Sequence, residues 1–271
     1  MRSSISIVGC GWLGLPLGQT LHNHGYNVAG STTTPSKQTL LRQHNIMPYI
    51  IECTTNAQLT TSSPSFFTAD HLIITLPFKR SLPQAAIYFN QIKSIVSTYL
   101  THNPNLKHVL LTSSTSIYSP TNTTVTENTP ITAQTERQQA LYNTEQYILN
   151  LPLKSTIIRC GGLFGYGRHI GQFYSKTKTK NLNCPVNLIH CDDVIGIILA
   201  TLTHNHTQEI FNAVCPDHPQ KSTLYAFHTN NPIPNQPLTQ QPNSYKIVSS
   251  KKAQNLLAYS FKYAKLMTTY D

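Results

Sequence analysis

The chain has 271 residues, with 20 Lys+Arg against 10 Asp+Glu and a formal net charge of +10. Its 39% hydrophobic and 11% charged residues suffice for a packed core and exclude wholesale disorder, and no apolar run approaches the ~18 residues of a membrane span. Six cysteines without a Cys-x-x-Cys pair argue against a disulfide framework and for a reducing, cytoplasmic setting.

The N-terminal Met1-Arg2-Ser3-Ser4 leads at once into Ile5-Ser6-Ile7-Val8-Gly9, too short an apolar run for a signal peptide. Residues 5–8 predict a strand and 12–24 a helix. A second strand follows over 26–30, a second helix over 36–44 and a third strand over 47–53. Residues 71–76 form a nearly pure apolar run, as expected of a parallel strand buried on both faces. Apolar residues at helical spacing (Ala86, Phe89, Ile92, Ile95, Val96) predict a helix over 83–100. Residues 107–112 predict a strand, 135–149 a helix and 155–159 another strand. This alternation predicts an α/β protein with a Rossmann, doubly wound parallel sheet, its dinucleotide-binding domain spanning 1–160.

Beyond residue 160 the pattern loosens. Gly161, Gly162, Gly165, Gly167 and Gly171 crowd one stretch. A helix is expected over 192–202, with Asp192 and Asp193 near its positive N-terminal pole, and another over 250–258. Pro232, Pro234, Pro237 and Pro242 predict an exposed loop over 228–244. Residues 161–271 are expected to complete the sheet and form a small substrate lobe that is not an independent domain.

The strongest motif is Gly9-Cys10-Gly11-Trp12-Leu13-Gly14, directly after a predicted strand and opening a predicted helix. In such a loop the first glycine makes the tight turn, the second lets a pyrophosphate approach the backbone, and the third lets helix and sheet pack closely. Cofactor choice is read at the end of the second strand. A carboxylate there suits NAD, but this chain has Ser31, Thr32 and Thr33, with Lys37 and Arg42 beyond. Hydroxyls and a lysine suit a 2′-phosphate, so NADP is expected over NAD.

A further cluster, Thr112-Ser113-Ser114-Thr115-Ser116-Ile117-Tyr118, closes the strand at 107–112, and strand carboxyl ends line the ligand crevice of open sheets. This stretch joins Gly9–Gly14, Ile73-Ile74-Thr75-Leu76-Pro77, the segment 159–167 with Arg168 and His169, and Asn187-Leu188-Ile189-His190-Cys191-Asp192-Asp193-Val194. In order and spacing these resemble the extended short-chain dehydrogenase/reductase superfamily, the NAD-dependent epimerase/dehydratase group, and within it the small, atypical bacterial members of the YeeZ type. The resemblance covers nearly the whole chain. It implies a nicotinamide cofactor held by Gly9–Gly14, Leu76, Pro77, Thr112 and Ser113. It also implies a reductase, epimerase or dehydratase acting on a polar substrate, often a nucleotide-sugar.

In that family a Ser four residues before the Tyr of the strand-end motif holds the reacting oxygen, a place taken here by Ser114; a Ser closing the strand with a backbone hydrogen bond is the plainer alternative. Tyr118 is a second catalytic candidate. Arg80, Arg168 and His169 are candidates for contact with an anionic substrate. The family's Tyr-x-x-x-Lys pair is missing: Arg137 and Leu141 stand in its places. The chain therefore reads either as an atypical enzyme or as a non-catalytic cofactor-binding sensor or scaffold. Without metal-ligand groupings or a nucleic-acid-binding signature, no metal and no nucleic-acid partner are expected; a homodimer is compatible with the sequence.

Overall fold

A computed structural model describes residues 3–61, 63–79, 84–175, 181–204, 208–230 and 244–269. Arg80 and residues 231–243 of the expected proline-rich loop lie outside the described residues.

The strands are β1 (Ser4–Val8), β2 (Asn27–Thr32), β3 (Met47–Cys53), β4 (Leu59–Thr61), β5 (His71–Ile74), β6 (His108–Ser114), β7 (Thr124–Val125), β8 (Lys154–Cys160), β9 (Gly162–Phe164), β10 (Leu188–His190), β11 (Glu209–Ala213) and β12 (Ile247–Val248). The helices are α1 (Gly14–Asn23), α2 (Lys37–Gln43), α3 (Ala86–His102), α4 (Glu136–Leu149), α5 (Cys191–His204), α6 (Lys221–Thr229) and α7 (Lys251–Leu256). Eight strands form one sheet in the order β11-β8-β6-β5-β1-β2-β3-β4. The pairs β2–β3, β1–β2, β1–β5 and β5–β6 are all parallel. The chain winds outward from β1 to β3, then returns to the other side of β1 with β5. That reversal is the topological switch point at which doubly wound sheets bind ligands, and the α/β Rossmann expectation holds.

The register explains why the apolar runs form this sheet. Ile7 lies opposite Ile73, which lies opposite Leu110, and all three are fully buried. Each such side chain contributes about 1.5–3 kcal/mol relative to exposure. Helix α4 starts where Thr135 caps it, its hydroxyl accepting from Gln138 N, and Gln138 Oε1 accepts Gln134 N at 2.9 Å. The sequence pattern missed β4, an antiparallel partner of β3.

The chain divides into two compact units. The first comprises Met1–Ser113, Ala133–Ile158 and Thr201–Ile210; the second comprises Ser114–Thr132, Arg159–Ala200 and Phe211–Asp271. Strands β8 and β11 pass from one into the other. Within the second unit, β9 pairs with β10 and β12 with β7, both in parallel. Its core gathers Phe164, Ile170, Leu188, Leu224, Tyr225 and Leu266. Asp193 stands in the first turn of α5 as expected, yet its fully buried carboxylate has a larger task. It accepts the Tyr259 hydroxyl (2.9 Å), Lys262 N (2.7 Å) and Tyr263 N (3.1 Å), tying the C-terminal segment to α5.

Among the described residues, no helix is long and apolar enough to cross a membrane.

Candidate functional site

In the first unit, β1 and β5 end in register at Val8 and Ile74, opposite Leu111 of β6, so Gly9, Thr75 and Thr112 follow side by side while β6 runs on to Ser114. Gly9 has φ +99°, a conformation open to glycine at no steric cost. Three bonds fix the turn there. Gly9 N donates to Ser31 Oγ (3.0 Å), Cys10 N donates to Ser31 O (2.8 Å), and the Thr75 hydroxyl donates to Gly9 O (2.7 Å). A Cβ at Gly14 would lie 2.3 Å from Gly9 O, so the close approach of α1 to the turn demands a glycine.

Gly11 differs from both. It is exposed, its φ is ordinary, and a Cβ there would meet only Gly9 O at 4.0 Å. The protein's own packing has no use for a glycine at this position; a ligand approaching the backbone does. Helix α1 has no acidic residue in its first turn and no side-chain cap; Leu15 N and Leu17 N donate to Gly11 O and Leu13 O and Pro16 has no N–H, so an anion would meet the helix's positive pole at the turn before Leu15. The loop thus fits the pyrophosphate of a dinucleotide. Cys10 takes part through its backbone alone, because its thiol is buried and burial pushes it up to about 12. Trp12 is half-buried and Leu13 buried.

At the end of β2, Ser31 is occupied with the glycine turn, while Thr32 Oγ1 accepts Thr34 N at 3.1 Å. Thr33, Thr34 and Lys37 are exposed. After β5, Leu76 is half-buried and Pro77 exposed. Phe78 stacks on Tyr88 with ring centroids 4.6 Å apart and carries the Arg137 guanidinium 4.1 Å above its ring. Arg137 also donates to Phe78 O at 3.0 Å. The residue standing in the family's Tyr position is thereby anchored to the β5 loop, and Leu141, in the Lys position, is buried. At the end of β6, Thr112 donates to Ile74 O (3.2 Å) and Ser113 to Glu145 Oε1 (2.5 Å), pinning the strand to β5 and α4.

The remaining candidates belong to the second unit. Ser114 is half-buried and its Oγ accepts Ser116 N at 3.2 Å, the strand-closing bond, which leaves the hydroxyl proton to be donated elsewhere. Tyr118 is buried. Its hydroxyl donates to Asn212 Oδ1 (2.8 Å) and accepts from Arg159 Nη1 (2.7 Å), and burial pushes the phenol above its usual range. Lys246 donates to Tyr118 O and is itself lowered to about 8 by burial. This geometry makes Tyr118 a structural anchor and speaks against the proton-transfer role expected of it.

Arg168 and His169 come together on a cavity of about 200 Å³, shared with Tyr166, His190, Asp192 and Tyr263. The turn between Gly165 (φ +101°) and Gly167 (φ +80°) is closed by reciprocal bonds of 3.0 Å between Gly165 and Arg168. Asp192 is the hub: it accepts from the Tyr166 hydroxyl, from Lys262 Nζ (2.8 Å) and from the Tyr263 hydroxyl (3.1 Å). Burial raises this carboxyl, but hydrogen bonds from Lys262 and Tyr166 outweigh it and leave the group below its usual range. Beside it, the His190 ring lies 3.6 Å from that of Tyr263, and burial lowers the imidazole. The motif at 187–194 flagged His190 and Asp192; nothing in the sequence pattern joined them to Tyr166 or Tyr263.

The strand order, the glycine turn at the switch point and the strand-end hydroxyl cluster define a Rossmann-type protein with the fold of extended short-chain dehydrogenases/reductases. Protein YeeZ of Escherichia coli K12 is 35% identical over 225 residues, covering 82% of this chain and 81% of its own. The chain belongs to the YeeZ family. No family model matches it.

Two solved structures share the fold over almost the full length. A putative NAD-dependent epimerase/dehydratase from Methylobacillus flagellatus has a TM-score of 0.73 at 21% identity, with 97% of this chain and 94% of that one covered. The human epimerase family protein SDR39U1 (isoform 2), solved with NADPH, has a TM-score of 0.69 at 15% identity, with 97% and 96% covered.

Proposed function

We propose that the chain is an NADP(H)-dependent oxidoreductase of the epimerase/dehydratase type, acting on a small, polar, anionic substrate. The observation that carries this reading is Gly11, a glycine that no internal contact requires, in the turn where a pyrophosphate meets the backbone. Gly9, Gly14, Ser31 and Thr75 shape the turn, and Leu76, Pro77, Thr112 and Ser113 contribute the neighbouring strand ends. Thr33 and Lys37, with no carboxylate beside them, favour a 2′-phosphate.

When bound, a nicotinamide donates or accepts hydride at a carbon centre. The chain's part is to hold the substrate: the Ser114 hydroxyl donates to the reacting oxygen, and Arg168, with His169, binds the anionic group. Arg168 offers five donors in a planar fork suited to carboxylate or phosphate.

A second reading has its own observation. With Arg137 fastened to Phe78 and Leu141 buried, the helix that follows the strand-end motif supplies no phenol–ammonium pair, which favours a cofactor-binding sensor without turnover. One experiment tests the cofactor claim and opens the other. Trp12, the only tryptophan, sits in the glycine loop, so its fluorescence reports titrations with NADPH, NADH, NADP and NAD. Saturable binding with NADPH tightest is expected; failure of all four to bind overturns both readings. A carbonyl-substrate screen then separates them, because turnover lost in Ser114→Ala belongs to the enzyme alone.

A further inference from the structure

At the amino ends of β5, β6 and β8, the edge of the first unit opposite the glycine loop, lies a cavity of about 450 Å³. Its volume falls within the range of about 300–1,000 Å³ typical of small-molecule pockets. One part of the wall is apolar, from Leu153 and Leu202, with the buried Thr201 beside them. The rest consists of two imidazoles, His71 and His108, and two ammonium groups, Lys107 and Lys154. Among the described residues, no carboxylate lines it. The nearby Asp70 is already engaged: Lys107 Nζ sits 2.8 Å from Oδ1, while Oδ2 accepts Ser4 N (2.9 Å) and the Ser4 hydroxyl (2.8 Å).

The two histidines are paired in register across β5 and β6, with ring centroids 5.9 Å apart and planes at 90°. His108 Nε2 lies 2.9 Å from Thr156 Oγ1 and His71 Nε2 lies 3.1 Å from Ser3 Oγ. His71 Nδ1 is shielded from water and has no hydrogen-bond partner among the described residues, so this nitrogen is not itself open to the hollow. Strand ends at this edge of a doubly wound sheet ordinarily serve stability. Here they gather nitrogen groups around an apolar hollow.

We propose that this cavity is a second binding site, for a small amphipathic anion: a carboxylate or phosphate ester on an apolar tail. The headgroup meets Lys154 and the imidazole wall, and the tail lies against Leu153 and Leu202. The site is separate from the dinucleotide loop and does not depend on the proposed activity.

The test is calorimetric titration of the full chain with octanoate, octyl phosphate and the neutral 1-octanol, each with and without NADPH. Octanoate, octyl phosphate or both should bind at one site per chain, indifferent to NADPH, and 1-octanol about tenfold more weakly or worse; which anion is preferred identifies the headgroup. Lys154→Gln should weaken the anions about tenfold and leave 1-octanol unchanged, while Leu202→Trp should fill the hollow and abolish binding. If Leu202→Trp fails to fold, the imidazole resonances of His71 and His108 in the unaltered chain decide, since they must move as octanoate saturates. The proposal is overturned if neither anion binds, if 1-octanol binds equally well, if NADPH displaces the anion, if Lys154→Gln leaves anion binding unchanged, or if those resonances stay fixed.

Discussion

Three glycines of one motif carry three different constraints, and substitution separates them. A side chain at Gly14 would collide with Gly9 O at 2.3 Å. Gly14→Ala is therefore expected to cost about 1–3 kcal/mol, lowering the melting temperature by about 2–4 °C per kcal/mol. Gly11 faces open space, so Gly11→Asp should leave stability within about 0.5 kcal/mol and yet weaken NADPH by about 100-fold or more through charge against the pyrophosphate. Thermal melts with Trp12 fluorescence titrations check both; NADPH binding undiminished in Gly11→Asp would remove the assignment of the loop. Ser114 and Tyr118 invite the same comparison. Tyr118→Phe strips the buried Arg159 and Asn212 of a shared partner and should destabilise by about 1–3 kcal/mol. Ser114→Ala should lower turnover while leaving the melting temperature nearly unchanged, as seen by activity and calorimetry on the two variants.

At the scale of elements, the first unit was legible because its signals are local. Apolar β-branched runs and their alternation with helices gave β1, β2, β3, β5, β6 and β8, and the strand over 47–53 falls on β3 residue for residue. Helix α1 starts two residues after the expected position because the turn around Gly9 occupies the intervening chain. The second unit was less legible. Strands β7, β9, β10 and β12 have two or three residues each, too few to show a period, and β7 pairs with β12 far along the chain, Thr124 opposite Ile247. The hub at Asp192 draws on Tyr166, Lys262 and Tyr263, so no window along the chain contains it. The expected NADP preference rests on the short β2–α2 connection and is tested there. Lys37→Glu replaces the cation by the type of carboxylate that suits a ribose hydroxyl; NADH should then bind more tightly than NADPH, and an unchanged ratio in fluorescence titrations would show that Lys37 does not read the 2′-phosphate.

For the whole molecule, the histidines at the amino edge of the sheet set how stability responds to acid. Burial holds His108 down to about 4, and the neighbouring His71 and Lys154 push in the same direction; burial likewise lowers His71. An unfolded histidine takes its proton near pH 6.5. Between pH 6.5 and 4 the unfolded chain therefore binds protons that the folded chain refuses, so stability is full above the unfolded value and declines as pH falls through this window. For His108 the loss is about 3 kcal/mol. A second stage begins lower. Lys107 and the Ser4 N–H hold the Asp70 carboxyl well below the carboxylate range, so its contribution is present above the unfolded value near 4 and is lost with further acidification. The melting temperature is thus expected to fall between pH 6.5 and 4, and to fall again below pH 4. In His108→Asn the first decline should shrink while the second persists, because only the second belongs to Asp70. Melting curves of the two proteins from pH 8 to pH 3 decide it: an equal slope between pH 6.5 and 4 in both would exclude His108 as the source.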